Sequence, residues 1–346
     1  MSYRIAINGY GRIGRCVLRA LYESAHRDTL QIVAINEPAD RETIAHLTRY
    51  DSTHGRFAGE VIAVDECLRI NGDHICLTHS TGKNLLPWAK QQVDLVLECS
   101  GTFTDRTSAQ EHIEAGARRV LFSQPAEANV DATIVYGINQ HQLQASDTII
   151  SNASCTTNCI LPVIKTLDEA IGLELGQITT IHSAMNDQPV IDAYHHTDLR
   201  RTRSAGVSII PVETELARGI CRLLPHLEGR LNATAVRVPT ANVSIMELTA
   251  VMRRNTSREE INAILLDASQ TNLKGVLGYT EELLASCDFN HDPRSAIVDG
   301  GQTGVTQGRL ITVKAWFDNE WGFANRMLDV ATTLMQIDGR TDDGAK

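Results

Sequence analysis

Residues 3–24 read YRIAINGYGRIGRCVLRALYES: a short apolar run, a turn with three glycines, then a segment of helical periodicity. The first six residues are rich in β-formers and too few for a helix, which predicts a strand. Ile13, Cys16, Val17, Ala20 and Leu21 share one face of the helix that follows. Gly9-Tyr10-Gly11-Arg12-Ile13-Gly14 therefore stands where strand passes into helix, the setting in which G-x-G-x-x-G forms a dinucleotide site. Gly9 serves the tight turn, Gly11 leaves room for a pyrophosphate and Gly14 lets helix approach strand, while helix amides face the anion. Without that context the six residues would fit a plain tight turn. Glu37 closes the next apolar run, QIVAIN, 23 residues beyond Gly14. A carboxylate there accepts hydrogen bonds from a ribose diol and repels a 2′-phosphate, so NAD is expected rather than NADP. The bland reading of Glu37 is a solvated loop acid.

Outward from this turn, short apolar runs continue to alternate with helical patterns: DLVLEC (94–99), RRVLFS (118–123), ATIVYGIN (132–139) and DTIISN (147–152). Runs so uninterrupted suit strands covered on both faces, which predicts a Rossmann-type, doubly wound, mostly parallel sheet. After residue 155 the strands lengthen and alternate, as in ITTIHSA (178–184), ATAVRVPT (233–240), SIMELTAVMRR (244–254) and RLITVKAWF (309–317). They predict an α+β catalytic domain with a mixed or antiparallel sheet. The expected division is 1–154, 155–318 and a C-terminal helix in 319–346 that packs back on the first domain. Ser257 with Glu260 three positions on predicts a capped helix start. The tail GRTDDGAK (339–346) is expected to fray.

At 346 residues the chain suits two domains, and no apolar run reaches the roughly 18 residues of a membrane span. A net charge of -10 disfavours nucleic acid or an anionic membrane as partner. The opening MSYRIAINGYGRIGR lacks the pattern of a signal peptide, so a cytoplasmic location is expected. The eight cysteines are scattered without repeating spacing and read as reduced thiols.

Two cysteines stand four apart in SNASCTTNC (151–159). A zinc site needs two more Cys or His at matching spacing, which do not stand out, so no metal is expected. A disulfide across one helical turn is poorly placed in a reducing compartment. Cys155 lies where DTIISN gives way to the helical stretch TTNCILPVIKTL, so helix amides are expected to lower its pKa as befits a nucleophile. Cys159, one turn in, reads as a small buried hydrophobe. His182 ends an apolar strand 27 residues after Cys155, either as a base or as a satisfied core histidine. With a dinucleotide, the pair specifies attack by Cys155 on an aldehyde, proton transfer to His182 and hydride transfer that leaves an acyl thioester.

INGYGRIGR, SNASCTTNC, TTIHSA, RVPTANVS and WFDNEWGFANR resemble the glyceraldehyde-3-phosphate dehydrogenase superfamily over essentially the whole chain. The resemblance implies Cys155 as nucleophile and His182 as its base, with Ser154 and Thr156 flanking the substrate carbonyl. It implies NAD contacts at Arg12 and Ile13, and at Glu37, Thr102, Ser123 and Asn319. It also implies a homotetramer.

Two departures narrow the reading. Met185-Asn186-Asp187-Gln188 replaces a Thr-rich stretch of the glycolytic enzymes, removing one phosphate-binding hydroxyl. Val212-Glu213-Thr214-Glu215 replaces Ser-Ser-Thr-Gly, so two carboxylates flank the hydroxyl that is kept. HSAMNDQPVIDAYHHTDLRRTR (182–203) resembles the branch that oxidises erythrose 4-phosphate to 4-phosphoerythronate on the way to pyridoxal phosphate. Arg200 and Arg237 are the candidate clamps for a sugar phosphate, while Arg201 and Arg203 read equally as solvated or bridging. The rivals are the glycolytic enzyme, a semialdehyde dehydrogenase, which SNASCTTNC fits poorly, and an NAD-sensing regulator, for which no basic nucleic-acid-binding module is visible.

Overall fold

The structure, a computed structural model, describes residues 2–82, 86–195 and 198–339; residues 340–346, most of the tail expected to fray, lie outside them. Two compact units divide the chain: Met1–Ser154 with Ala324–Lys346, and Cys155–Phe323. No described helix is long and apolar enough to cross a membrane.

The first unit opens with β1 (Tyr3–Asn8), α1 (Arg12–Tyr22) and β2 (Leu30–Asn36), then α2 (Arg41–Arg49) and the two-residue strands β3 (Tyr50–Asp51) and β4 (Gly55–Arg56). A meander of β5 (Val61–Val64), β6 (Cys67–Ile70) and β7 (Asp73–Thr78) follows. β8 (Leu95–Glu98), α3 (Arg106–Glu114), β9 (Arg119–Phe122), β10 (Ala132–Thr133) and β11 (Ile149–Ser151) complete the sheet. Its strand order is β10-β11-β9-β8-β1-β2-β7-β6-β5. Every neighbour from β10 to β7 is parallel, and only β7, β6 and β5 pair antiparallel. β8 and β9 are buried at every position, as strands covered on both faces must be. The chain leaves β1 for β2 on one side and returns to β8 on the other, so a crevice opens at the carboxyl ends of these strands.

ATIVYGIN is a strand only over Ala132–Thr133, contrary to the expectation. Beyond Thr133 the Asn139 side chain takes the place of a neighbouring strand, its Oδ1 accepting from Val135 N–H at 2.8 Å and its Nδ2 donating to Thr133 O at 2.9 Å.

The second unit holds α4 (Cys155–Ile171), β12 (Leu173–His182), β13 (Ile210–Val212), α5 (Leu216–Leu223), β14 (Leu231–Arg237), β15 (Ser244–Met252) and α6 (Arg258–Gln270). β16 (Leu277–Thr280), β17 (Ala296–Asp299), β18 (Gly304–Thr306) and β19 (Leu310–Phe317) follow. The last helix, α7 (Trp321–Ile337), belongs to the first unit from Ala324 onward. The mixed sheet runs β13-β14-β12-β15-β19-β17-β16, with β18 also on β19. β12 with β14 and β16 with β17 are parallel; the other pairs are antiparallel. On β15 the alternate residues Met246, Leu248, Ala250 and Met252 are buried, and α4 packs across β12, β15, β17 and β19. Ser257 caps α6, its Oγ accepting from Glu260 N–H at 3.2 Å.

Candidate active site

A cleft of about 400 Å3 opens at the strand ends of the first unit, lined among others by Asn8, Gly9, Gly11, Glu37, Ser100 and Thr102. Gly9 has φ +86°, and a Cβ on it would stand 2.4 Å from the Ser100 backbone. A Cβ on Gly14 would stand 2.4 Å from Gly9 O, whereas one on Gly11 would meet nothing within 4 Å. Two of the glycines thus serve packing and the third leaves open space. Gly11 is also the N-cap of α1, without a side-chain cap bond and with no acid in the first turn, so the helix brings no carboxylate of its own to its N-terminus. These features fit a dinucleotide pyrophosphate.

Glu37 follows β2 directly, and its Oε2 accepts from Tyr10 N–H at 2.8 Å while Oε1 accepts from Ala39 N–H at 3.4 Å. The carboxylate therefore braces the glycine loop besides facing the cleft. Thr102 is held by its N–H to Ser100 Oγ at 3.2 Å. The Arg12 guanidinium is bound to Asp51 at 2.5 and 3.2 Å, and Arg12 and Ile13 stand in the first turn of α1. Ser123 follows β9, donates its N–H to Glu98 O at 3.0 Å and is not among the residues lining the cleft.

In the second unit Cys155 is the first residue of α4, reached through Ala153, whose φ of +55° is a left-handed backbone few non-glycine residues adopt. That turn swings the chain from β11 into the helix, with half-buried Ser154 and Thr156 on either side of the cysteine. His182 ends β12, and its Nε2 lies 3.8 Å from Cys155 Sγ. Its Nδ1 is 2.8 Å from Ser183 O, and a carbonyl can only accept, so Nδ1 carries the proton and Nε2 presents a lone pair to the sulfur. Burial, reinforced by the Arg237 charge, pushes His182 down to about 4, against the Ser183 bond. Burial likewise pushes the Cys155 thiol up to about 11, although the Thr156 amide and Arg237 pull the other way. The expected depression by helix amides is therefore present as a contribution but not as the outcome, because desolvation outweighs it. Cys159 is fully buried inside α4.

Arg237 ends β14, and its Nη1 donates to Asp187 Oδ1 at 3.1 Å and Gln188 Oε1 at 3.3 Å. Arg201 Nη1 donates to Asp187 Oδ2 at 3.0 Å, and Arg203 pairs with Asp192 at 2.9 Å. Arg200 and Arg201 line a second cavity, of about 620 Å3, together with Glu213. Thr214 Oγ1 accepts from Leu216 N–H at 3.3 Å, and Glu215 pairs with exposed Arg218 at 2.7 Å. Of the two carboxylates beside Thr214, only Glu213 faces that cavity. Asn319 Oδ1 accepts from Ser183 Oγ at 2.9 Å and Ser244 Oγ at 3.0 Å, which turns its amide nitrogen away from both hydroxyls.

Comparison with known families agrees with this layout. The glyceraldehyde 3-phosphate dehydrogenase NAD-binding domain matches residues 3–106, and the C-terminal domain of the same enzyme matches residues 154–319. The chain belongs to the glyceraldehyde 3-phosphate dehydrogenase family. It is accordingly an NAD-dependent oxidoreductase, with its NAD-binding domain in the first half. Sequence reading overlooked two groups that shape these sites. Asp187 joins Arg237 to Arg201, a pairing across 50 residues that nothing local announces. Asp318 is buried beside Asn319, where the run of polar residues after β19 was the available signal.

Proposed function

We propose that this family member is an NAD-dependent erythrose-4-phosphate dehydrogenase, forming 4-phosphoerythronate, an acid on the way to pyridoxal phosphate, with water resolving the acyl enzyme. The observation that carries the reading is a thiol at the start of a helix with an imidazole lone pair 3.8 Å away. Cys155 Sγ adds to the aldehyde carbon as its proton passes to His182 Nε2, and the Cys155 amide with Ser154 and Thr156 receives the oxygen of the thiohemiacetal. Bound NAD supplies the hydride acceptor. With the hydride gone and the proton on His182 Nε2 released to solvent, the carbon is a thioester on Cys155 and the ring is again a base. Water adds to it as His182 Nε2 takes the water's proton, the C–S bond breaks, and the sulfur recovers a proton.

Arg200 and Arg237 are assigned to the substrate phosphate, because a guanidinium fork matches phosphate oxygens. Water is favoured over inorganic phosphate by Glu213. A dianion brought about 5 Å from a carboxylate is repelled by roughly 3 kcal/mol per charge pair at an effective dielectric near 20. The pairing of Glu215 with Arg218 leaves that barrier to Glu213 alone, which is what speaks for the second reading, the phosphorylating glycolytic enzyme. The test is NAD reduction with erythrose 4-phosphate in phosphate-free buffer, then with phosphate or arsenate added. Phosphate-independent turnover to 4-phosphoerythronate is expected. Turnover that requires phosphate, with glyceraldehyde 3-phosphate the better substrate, would establish the glycolytic enzyme instead. We also assign the protein a homotetrameric state, as the family implies.

A further inference from the structure

Beneath the cofactor cleft runs a line of buried polar side chains that the reaction does not use. Trp88 Nε1 donates to His112 Nδ1 at 3.0 Å, and His112 Nε2 meets Glu98 Oε2 at 3.0 Å. Asn8 Nδ2 donates to the same Glu98 oxygen at 2.6 Å, and Asn36 Nδ2 donates to Asn8 Oδ1 at 2.8 Å. Backbone amides pin the cleft side: Ser100 N–H donates to Glu98 Oε1 at 2.8 Å and Ser80 N–H to Asn36 Oδ1 at 3.0 Å. Glu98 and His112 are each 1 % exposed.

The two kinds of end fix every proton between them. An indole N–H and a backbone N–H can only donate. His112 Nδ1 is therefore an acceptor, so Nε2 carries the hydrogen and donates it to Glu98. The Asn36 oxygen faces Ser80, so its nitrogen faces Asn8, and the Asn8 nitrogen in turn faces Glu98. Three donors converge on Glu98, which is how an ionised carboxylate is coordinated when no cation pairs with it. Burial opposes that charge, and the bonds from His112 and Ser100 outweigh it, holding the carboxyl below its ordinary range. A buried ion that apolar packing could replace more cheaply points to a task beyond filling space.

We propose that Glu98 and His112 are positioning residues for NAD, clamping Asn8 at the end of β1 to Ser100 just beyond β8 and, through Asn36, the end of β2. Asn8, Asn36 and Ser100 line the cleft; Glu98 acts through them, and His112 through Glu98. The inference rests on the reading that this cleft holds the cofactor.

Glu98→Gln tests it, because an amide offers one acceptor where donors arrive at two oxygens, and either orientation sets donor against donor. The variant is expected to bind NAD at least about tenfold more weakly by calorimetry, with kcat at saturating NAD within about twofold of the parent. His112→Ala should weaken NAD similarly, and His112→Gln, which keeps a donor toward Glu98, should recover most of the loss. A purely structural role would lower the melting temperature and leave the NAD affinity of the folded protein unchanged. Glu98→Gln and His112→Ala that fold by circular dichroism and bind NAD within twofold of the parent overturn the proposal; if Glu98→Gln does not fold, the His112 pair decides. Glu37→Ala separates the two failures. If it leaves NAD affinity intact, the cleft itself has been misassigned; if it weakens NAD while the buried variants do not, only the clamp is wrong.

Discussion

At Cys155 desolvation and hydrogen bonding act in opposite directions, and the magnitudes decide what the thiol can do at rest. With the thiol pushed up to about 11 and His182 down to about 4, neither partner is charged near neutral pH. In the proposed mechanism the imidazole is then a base in waiting, and the proton moves only as the sulfur bonds to carbon. Alkylation of Cys155 by iodoacetamide, followed on its peptide by mass spectrometry, should therefore rise about tenfold per pH unit from 7 to 10 without a neutral plateau. A plateau between pH 6 and 8 would reveal a thiolate–imidazolium pair and overturn this assignment. His182→Asn should leave that alkylation profile nearly unchanged while turnover falls about 10² to 10⁴-fold, since the neutral ring helps only in the transition state. The same burial has a consequence for stability. His182 is depressed in the folded protein, so the unfolded chain binds its proton first, between about pH 6.5 and 4. Its neutral burial costs nothing above that window and weakens the fold progressively as pH falls through it.

At the scale of elements, the turn between β19 and α7 is held by one carboxylate. Asp318 Oδ1 accepts from Glu320 N–H at 3.0 Å and Trp321 N–H at 2.8 Å, while Oδ2 accepts from His291 N–H and Asn242 Nδ2, each at 2.8 Å. Asp318→Ala removes a helix cap and strands buried donors, a loss of about 2 to 4 kcal/mol. Differential scanning calorimetry should show a melting temperature lower by about 5 to 10 °C, and an unchanged one would mean that water replaces the carboxylate at no cost. Elements whose signal is local were legible in the sequence: β1 and α1 from the glycine turn, α6 from Ser257 and Glu260, β11 to α4 in kind if not in bounds. The β5–β7 meander was not read, although Asn71-Gly72, at φ +48° and +92°, is a two-residue hairpin signal between apolar runs. ATIVYGIN misled because a side chain, Asn139, supplies the bonds a strand would have made. The meeting of Cys155 with His182 was readable from the motifs, but its protonation was not, since desolvation depends on residues brought together only by folding. Asp187 and the line from Trp88 to Asn36 depend on the same long-range meetings.

At the scale of the whole molecule, one segment of the second unit exposes a run of large apolar side chains. Val190, Ile191, Tyr194, Leu199, Val207 and Ile209, all within one twenty-residue span, are between 71 and 103 % exposed. Scattered single apolar residues are ordinary, but six large ones on one segment mark a surface meant to be covered. Burying each contributes about 1.5 to 3 kcal/mol before the cost of association, so a few suffice to hold subunits together. Tyr194 is the natural anchor, since aromatic side chains dominate interface energetics and it is the most exposed of the set. Light scattering on the parent should give a mass near four times the 38.0 kDa of one chain. Tyr194→Asp with Ile209→Asp should shift the species toward dimer or monomer at micromolar concentration, because each substitution places an uncompensated charge in a desolvated contact. The parent eluting as a monomer, or the double variant keeping the parent mass under dilution, would show that this segment is not the contact and that the exposed side chains have another use.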